Sequence, residues 1–203
     1  MPRPRRVLDE QIRATAREVF LEKGPSAPLQ LIARRLGISQ AALLHRVGTK
    51  EALMLLALRP EPPSAAALLA REPARAGELG EQLVAALMHH RDFLRGLVPN
   101  LFVLRCSPLG VERAMHAVTP PPVALRRRLT SWLARARRDG LTRVDNPRRV
   151  AEALCGTVEA RCFNAHVGGA RYAPGNDEAI LRELVRLLVP VRRAPRVLKR
   201  KAT

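Results

Sequence analysis

Aromatic side chains are scarce in this sequence. Among 203 residues there are one Trp, one Tyr and four Phe, which together make up 3% of the chain. No alternation of apolar and polar residues is present that would indicate the strands of a sheet. Leu, Ala, Arg and Val dominate instead, and the first three are among the strongest helix formers. The composition therefore predicts an all-α fold.

Cysteine is also rare, and its spacing fits no metal site. The three cysteines, Cys106, Cys155 and Cys162, are an odd number and do not form a disulfide framework. Cys155 and Cys162 are seven residues apart, on one face of a predicted helix. We interpret them as small core residues, with a redox-sensing pair as the alternative.

Long apolar runs are missing. No stretch of about 18 apolar residues is present, so no transmembrane helix is expected. The first apolar run is short and amphipathic, unlike the core of a secretory signal peptide. We expect a reduced, cytoplasmic protein with no membrane partner.

Patterns that carry catalysis are absent as well. The sequence shows no defensible pairing of a nucleophile with a base, no paired carboxylate motif and no glycine-rich phosphate loop. We expect a protein that is not an enzyme and that uses no metal and no cofactor.

Positive charge is what the sequence has in excess. The net charge is +18, from 36 basic and 18 acidic side chains. Residues 1–60 and residues 190–203 each carry a net charge of +6, as much as the whole of residues 61–189. Charge concentrated at both ends is typical of a surface that binds a polyanion such as nucleic acid. A solubilising surface is the plainer alternative.

Proline, glycine and capping residues divide the chain into helical segments. A first helix begins near Leu8 and ends at Gly24. Three prolines between residues 60 and 63 interrupt the helical pattern, and we place a domain boundary there. Beyond it, apolar spacing predicts helices over residues 64–71, 78–97, 123–138, 147–167 and 177–189, with Pro99 among the residues that separate them.

Residues 29–51 have the pattern of two short helices joined by a tight turn. Gly37 permits a positive φ at the turn, and Ser39 is a good N-cap for the second helix. Ala33 is small where the helices must cross, while Leu43 and Val47 point inward together. This pattern predicts a helix-turn-helix, whose second helix docks in the major groove of DNA.

The segment from Ile12 to about Leu55 resembles the tetracycline-repressor family of bacterial regulators, in the TetR/AcrR-like group. The resemblance rests on four groups of residues in order: Phe20 with Glu22-Lys23-Gly24, Ile32-Ala33, Leu36-Gly37-Ile38-Ser39, and Gly48-Thr49-Lys50-Glu51-Ala52-Leu53. It implies an all-α fold with an N-terminal three-helix DNA-binding domain and a larger C-terminal helical domain for dimerisation and ligand binding.

The domain organisation that follows has three parts. Residues 1–60 are expected to form the DNA-binding domain and the start of a connecting fourth helix. Residues 61–190 are expected to form the dimerisation and ligand-sensing domain. Residues 191–203 are expected to be a basic, disordered tail.

The resemblance also implies the DNA contacts. Lys50 lies where family members contact phosphate, and Gln40 and Ala41 lie where they read base edges. Family members commonly have a tyrosine at Leu44 and an aromatic residue at Val47, so one phosphate contact is lost here. The expected DNA-binding residues are Gln40, Ala41, Leu44, His45, Arg46, Thr49 and Lys50, with Arg3, Arg5 and Arg6 of the basic arm.

Two further sets of residues are expected in the C-terminal domain. Large apolar residues are candidates to line a ligand pocket: Phe93, Leu97, Phe102, Trp132 and Phe163. Apolar residues of the last two helices are candidates for a homodimer interface: Ala153, Leu154, Thr157, Val158, Leu181, Leu184 and Leu188.

The family implies a mechanism for these parts. We expect a homodimeric repressor that binds double-stranded DNA at a palindromic operator and is released by a small-molecule effector, whose identity the sequence does not give. A ligand-binding or adaptor protein without specific operator binding is the alternative, motivated by Leu44 and Val47.

The arginines of residues 126–138 are expected to form a solvated face, with an acidic ligand or partner as the alternative.

Overall fold

The structure is a computed structural model of the chain, and it describes residues 8–59, 69, 78–115 and 120–190, with the backbone alone at residues 114 and 115. Nine α-helices account for most of these residues. They are α1 (Asp9–Lys23), α2 (Leu29–Leu36), α3 (Gln40–Val47), α4 (Lys50–Leu58), α5 (Leu79–Arg105), α6 (Gly110–Met115), α7 (Pro121–Arg138), α8 (Pro147–Gly168) and α9 (Asp177–Leu188). The predicted all-α fold is confirmed.

The chain forms two compact units. The first contains residues 1–61 and 94–119, and the second contains residues 62–93 and 120–203. Helix α5 is divided between them at residue 94. Within the part of the chain that is described, no helix combines the length and the apolar character needed to cross a lipid bilayer.

The core of the first unit is built from α1 to α4 and from the end of α5. Its largest fully buried side chains are Phe20, Ile12, Ile32, Leu43 and Leu53. Leu104 and Leu109 belong to the same cluster. Burial of such a side chain contributes roughly 1.5–3 kcal/mol, so this small unit depends on all its helices together.

A buried amide joins α1, α4 and α5 within the first unit. Asn100 on α5 is 4% exposed. Its Nδ2 donates to the carbonyl of Leu58 at the end of α4 at 3.1 Å, and its Oδ1 accepts from Arg17 Nε at 3.3 Å. Arg17 also donates to the carbonyl of Gly96 at 3.0 Å. The last carbonyls of a helix lack partners within the helix, so Asn100 satisfies a group that burial would otherwise leave unpaired.

Helix α5 is longer than the sequence predicts, because it continues through Pro99 to Arg105. The expectation that the helix ends near residue 97 is wrong. Proline has no N–H, so it removes the bond to the carbonyl four residues earlier, that of Arg95. The neighbouring contacts of Asn100 and the burial of Leu104 outweigh this loss.

The second unit is centred on α7 and α8, which run antiparallel. Arg126 near the start of α7 donates to Glu159 in the second half of α8 at 3.1 Å. Trp132 and Leu133 on α7 and Leu154 on α8 are completely buried. Asn146 caps α8 by accepting from the N–H of Arg149 at 3.0 Å, and Pro147 occupies the first turn, as predicted.

An ion-pair cluster ties α9 to α8 and to the first half of α5. Arg161 Nε donates to Asp177 Oδ1 at 2.7 Å, and Arg91 lies 3.7 Å from Asp177 Oδ2. Arg161 also donates to the carbonyl of Pro174 at 3.0 Å, in the loop before α9. The side chain of Asp177 is 13% exposed, so this cluster is shielded from solvent and holds the loop in place.

Two expected segments lie outside the described residues. They are the helix over residues 64–71, of which only residue 69 is described, and the basic tail over residues 191–203.

We expect that Asn100→Ala lowers the free energy of unfolding by about 1–3 kcal/mol, because it leaves the buried Leu58 carbonyl without a partner. The measurement is urea unfolding followed by helical circular dichroism. The matched control is Gln30→Ala, which truncates an exposed amide on α2 and is expected to change stability by less than about 0.5 kcal/mol. Equal effects of the two substitutions would contradict the role assigned to Asn100.

Candidate DNA-binding surface

The turn between α2 and α3 has the geometry that the sequence predicts. Gly37 has a φ of +70°, in the left-handed region. Ser39 caps α3, with its Oγ accepting from the N–H of Ala42 at 3.1 Å. Ala33 is 2% exposed, and Leu43 is completely buried. The two helices therefore cross closely and leave the N-terminal edge of α3 in solvent.

The expected DNA contacts lie on the outer face of α3 and at the start of α4. Gln40, Ala41, His45 and Arg46 are all exposed. A polar N-terminal edge flanked by cationic side chains is suited to a DNA groove, since helix N-termini and arginines both attract phosphate.

Helix α4 begins beside this edge. Thr49 is exposed, and its Oγ1 accepts from the N–H of Ala52 at 3.0 Å. The side chain of Thr49 is thus engaged in capping, which fixes the start of α4. Lys50, the first residue of the helix, is half-buried.

Arg46 forms an ion pair that the sequence analysis did not foresee. Its Nε lies 2.8 Å from Asp9 Oδ1, at the start of α1. Arg46 and Asp9 side chains are 39% and 79% exposed, so the pair is solvated and contributes little to stability. Its effect is to orient the guanidinium of α3 and to offset its charge. No local sequence signal links residues so far apart.

A second ion pair links α1 to α2. Arg35 NH2 lies 2.6 Å from Glu22 Oε2, and this hydrogen bond lowers the pKa of Glu22. The pair fixes the end of α1 relative to the helix-turn-helix.

Leu44 and Val47 replace residues that are commonly aromatic in the family. Both are half-buried, and Val47 packs against the core of the first unit. The aliphatic side chain of Val47 therefore serves packing, and Leu44 has no donor for a phosphate. The expected basic arm, Arg3, Arg5 and Arg6, lies outside the described residues.

Comparison with known protein families finds a match for this part of the chain. Residues 12–57 match the family model for bacterial regulatory proteins of the tetR family. The N-terminal part of the chain is a tetR-family domain. The matched range covers α1 to α4 with the whole helix-turn-helix, so the resemblance inferred from the sequence is confirmed. The domain is that of a DNA-binding transcription regulator.

Solved structures of similar fold include tetR-like regulators. A transcriptional regulator from Saccharomonospora viridis, in complex with choline, has a TM-score of 0.69 and 17% identity over 91% of this chain and 98% of that chain. A TetR-like transcriptional regulator from Rhodococcus sp. RHA1 has a TM-score of 0.61 and 20% identity, over 91% and 97% of the two chains.

The similarity extends to a repressor. SmeT, the repressor of the Stenotrophomonas maltophilia multidrug efflux pump SmeDEF, has a TM-score of 0.62 and 20% identity over 91% of each chain. The TM-scores, over 91% of this chain in each case, show that the fold is shared beyond the matched N-terminal domain. No curated protein matches the sequence.

The residues expected to line a ligand pocket are distributed over both units. Trp132 is completely buried, Leu97 is 3% exposed, and Phe102 and Phe163 are 42% and 49% exposed. Phe93 is half-buried and stacks on His90, with ring centroids 6.4 Å apart. The structure does not bring these five side chains together around one described cavity, and the pocket stays a prediction.

The residues expected at a dimer interface fall into two groups. Leu154, Val158 and Leu181 are buried in this chain's own core, at 2% exposure or less, so they are not available to a second copy. The others are accessible in the single chain: Ala153, Thr157, Leu184 and Leu188. The sequence pattern identified the apolar positions of each helix. It did not show which side of the helix packs against the rest of the same chain.

The buried cysteines do not have the properties of a redox sensor. Burial raises the pKa of the Cys155 thiol to about 12, so the reactive thiolate is almost absent at neutral pH. Cys162 is buried as well, and its Sγ lies 3.6 Å from the carbonyl of Arg91. Both fit the interpretation as core residues. The described residues contain no cluster of side chains suited to a metal ion.

We expect that Asp9→Asn strengthens binding to nonspecific DNA and makes its salt dependence steeper, because the substitution removes a carboxylate that pairs with Arg46. Each added phosphate contact steepens the slope of log affinity against log salt by about 0.9. Fluorescence anisotropy with a random duplex at several salt concentrations measures both quantities.

The control for this prediction is Glu10→Gln. It removes the same charge one residue away, but Glu10 pairs with Arg13 on α1 at 2.9 Å and not with α3. If Asp9→Asn and Glu10→Gln raised the slope equally, the effect would be one of overall charge and the role of the Asp9–Arg46 pair would be rejected.

Proposed function

We propose that the chain is a sequence-specific transcriptional repressor that binds a palindromic operator as a homodimer in the cytoplasm. A small molecule bound in its C-terminal domain would release it from DNA. The observation that carries the proposal is the outer face of α3, where Gln40, Ala41, His45 and Arg46 are exposed together at the end of a helix-turn-helix.

The chemistry of α3 supports sequence recognition. Gln40 is the first residue of the helix, where its amide is able to pair with both N6 and N7 of adenine. Ala41 offers a small apolar surface of the kind that contacts a thymine methyl group. Lys50 and Arg46 supply cations for the phosphate backbone, which orients the helix but does not read sequence.

Exposed apolar surface on α8 and α9 supports the homodimer. Phe163 and Val167 on α8 are 49% and 54% exposed, and Leu187 on α9 is 70% exposed. On α8, Phe163 and Val167 follow a helical repeat with the exposed Ala153 and Ala160, on the side away from the core of the chain. Large apolar residues grouped in this way indicate an interaction surface, and a second copy would bring two α3 helices about 34–36 Å apart, one turn of DNA.

The effector is supported more generally. A regulator of similar fold is known in complex with choline, and SmeT is named as the repressor of an efflux pump. The first supports a small-molecule ligand, and the second supports repression. Neither identifies the effector of this chain, because the identities are 17% and 20%.

The test of operator recognition starts with selection of a DNA site from a random duplex library by the intact protein. Gln40→Ala is expected to change the base preferred at one position of each half-site, at a cost of about 1–3 kcal/mol. Lys50→Ala is expected to weaken binding to every sequence and to lower the salt slope by about one. Each variant serves as the control for the other.

A failure of the selection has a specific meaning. If the intact protein enriched no sequence and bound all duplexes equally, the chain would be a ligand-binding or adaptor protein on the same fold. If it enriched a site and both variants bound that site like the unmodified protein, the contacts assigned to α3 and α4 would be wrong.

The dimer is tested with Leu187→Glu. A carboxylate in an apolar interface is not solvated, so the dissociation constant of the dimer is expected to rise roughly tenfold or more. Light scattering after size-exclusion chromatography measures the mass. Leu56→Glu, at a position 42% exposed on α4, is expected to leave the dimer intact. A dimer unaffected by Leu187→Glu would place the interface elsewhere.

A further inference from the structure

A groove lined by arginines lies on the second unit, between α7 and α8. It has a volume of about 570 Å³. Helix α7 contributes Arg126 and Arg127 together with the hydroxyls of Thr130 and Ser131, and α8 contributes Arg148 and Glu152. We propose that this groove binds a small organic anion with two or more carboxylate or phosphate groups.

The charge of the groove supports an anion. Three guanidinium groups face a single lining carboxylate, that of Glu152. Guanidinium groups form paired hydrogen bonds to carboxylates and phosphates, which makes arginine the preferred side chain for both. Because the shared chemistry is that of a multiply charged oxyanion, the experiment below distinguishes phosphate from carboxylate.

Arg127 is the arginine with its donors uncommitted. Its side chain is exposed, and it has no hydrogen bond or ion pair with any residue that the structure describes. It also lines a neighbouring depression of about 300 Å³, to which Arg128 and Arg135 contribute as well. Arg127 therefore stands between two basic depressions, where the repulsion between arginines is relieved by a bound anion.

Arg126 is held in place by Glu159 on α8. Its NH2 donates to both oxygens of Glu159, at 3.1 and 3.2 Å, while its Nε is buried without a hydrogen-bond partner among the described residues. The neighbouring His90 and Arg126 lower the pKa of Glu159, so the carboxylate stays ionised at neutral pH. Arg126 thus keeps a fixed orientation, and its NH1 is the nitrogen left to donate to a ligand.

Arg148 is able to turn towards a ligand at little cost. Its Nε donates to Glu152 at 3.1 Å, but the two side chains are 80% and 45% exposed. An exposed ion pair of this spacing is worth only about 0.3–0.5 kcal/mol. A multiply charged anion competes well for such a guanidinium, so Arg148 completes the site from the side of α8.

The size of the groove favours a small molecule over a macromolecule. Pockets for small ligands have volumes of about 300–1,000 Å³, and this groove lies in that range. Thr130 and Ser131 add hydroxyl groups that could fix the orientation of a ligand, although Thr130 Oγ1 already donates to the carbonyl of Arg126 at 2.8 Å. Binding in this groove is separate from operator recognition, and its test needs no DNA.

The experiment is calorimetric titration of the intact protein with pyrophosphate and, separately, with citrate at about 150 mM salt, where long-range attraction is screened. The double variant Arg127→Ala with Arg148→Ala is expected to lose at least tenfold in affinity for the probe that binds. The matched control, Arg138→Ala with Arg149→Ala, removes the same charge from exposed positions of the same two helices outside the groove and is expected to lose less than twofold.

Each outcome bears on the proposal. Binding of pyrophosphate alone would show that the groove prefers phosphate groups, and binding of citrate alone would show that it prefers carboxylates. Either result supports the proposed anion site. Equal loss in the two double variants would show diffuse attraction, and loss in Lys50→Ala instead would place the anion on the DNA-binding surface. Either result, or no binding of either probe at about 1 mM, overturns the proposal. Circular dichroism checks that the variants fold. Binding of the groove variant to the selected operator is measured as well. If that binding is unchanged, loss of the anion site is distinguished from failure of the proposed repressor function.

Discussion

The left-handed backbone at Gly37 is the constraint on which the DNA-binding surface depends. It allows α2 and α3 to cross with only three residues between them, and Ser39 then starts α3 at a defined position. Because Leu43 is buried directly below, the rotation of α3 about its axis is fixed. Which side chains face solvent follows from that rotation alone.

The core of the first unit extends beyond α1 to α4. Leu104 and Leu109 complete its core, and Asn100 satisfies the end of α4. A domain of fewer than about 60 residues buries a limited fraction of its surface, so the added segment supplies both apolar area and a hydrogen-bond donor. The ends of α4 and α5 are thus held by the same contacts that hold the helix-turn-helix.

Local sequence patterns predicted the helices and most of their ends, but they did not predict contacts between residues far apart in the chain. The ends of α1, α2 and α3 coincide with Gly24, Gly37 and Gly48, because glycine is the residue that reverses the chain at low cost. Pro99 misled the prediction of α5, because tertiary contacts outweigh the loss of one backbone bond. Apolar spacing alone did not separate the covered side of a helix from its uncovered side: Leu154, expected at a dimer interface, is buried within its own chain.

The ion pairs of the site were also invisible in the sequence. Asp9 and Arg46, or Arg17 and Asn100, meet only because the helices cross. The exposed face of α3 was nevertheless predicted, because residues three or four positions apart lie on the same side of a helix.

The Asp9–Arg46 pair has a kinetic consequence. Proteins that search a genome spend much of their time sliding on sequences that they do not recognise, held there by phosphate contacts. An arginine that carries its own counter-charge grips those sequences less firmly, so each encounter is shorter. Under the proposed function, the chain would remain for a shorter time on each wrong site and would inspect more sites in the same time.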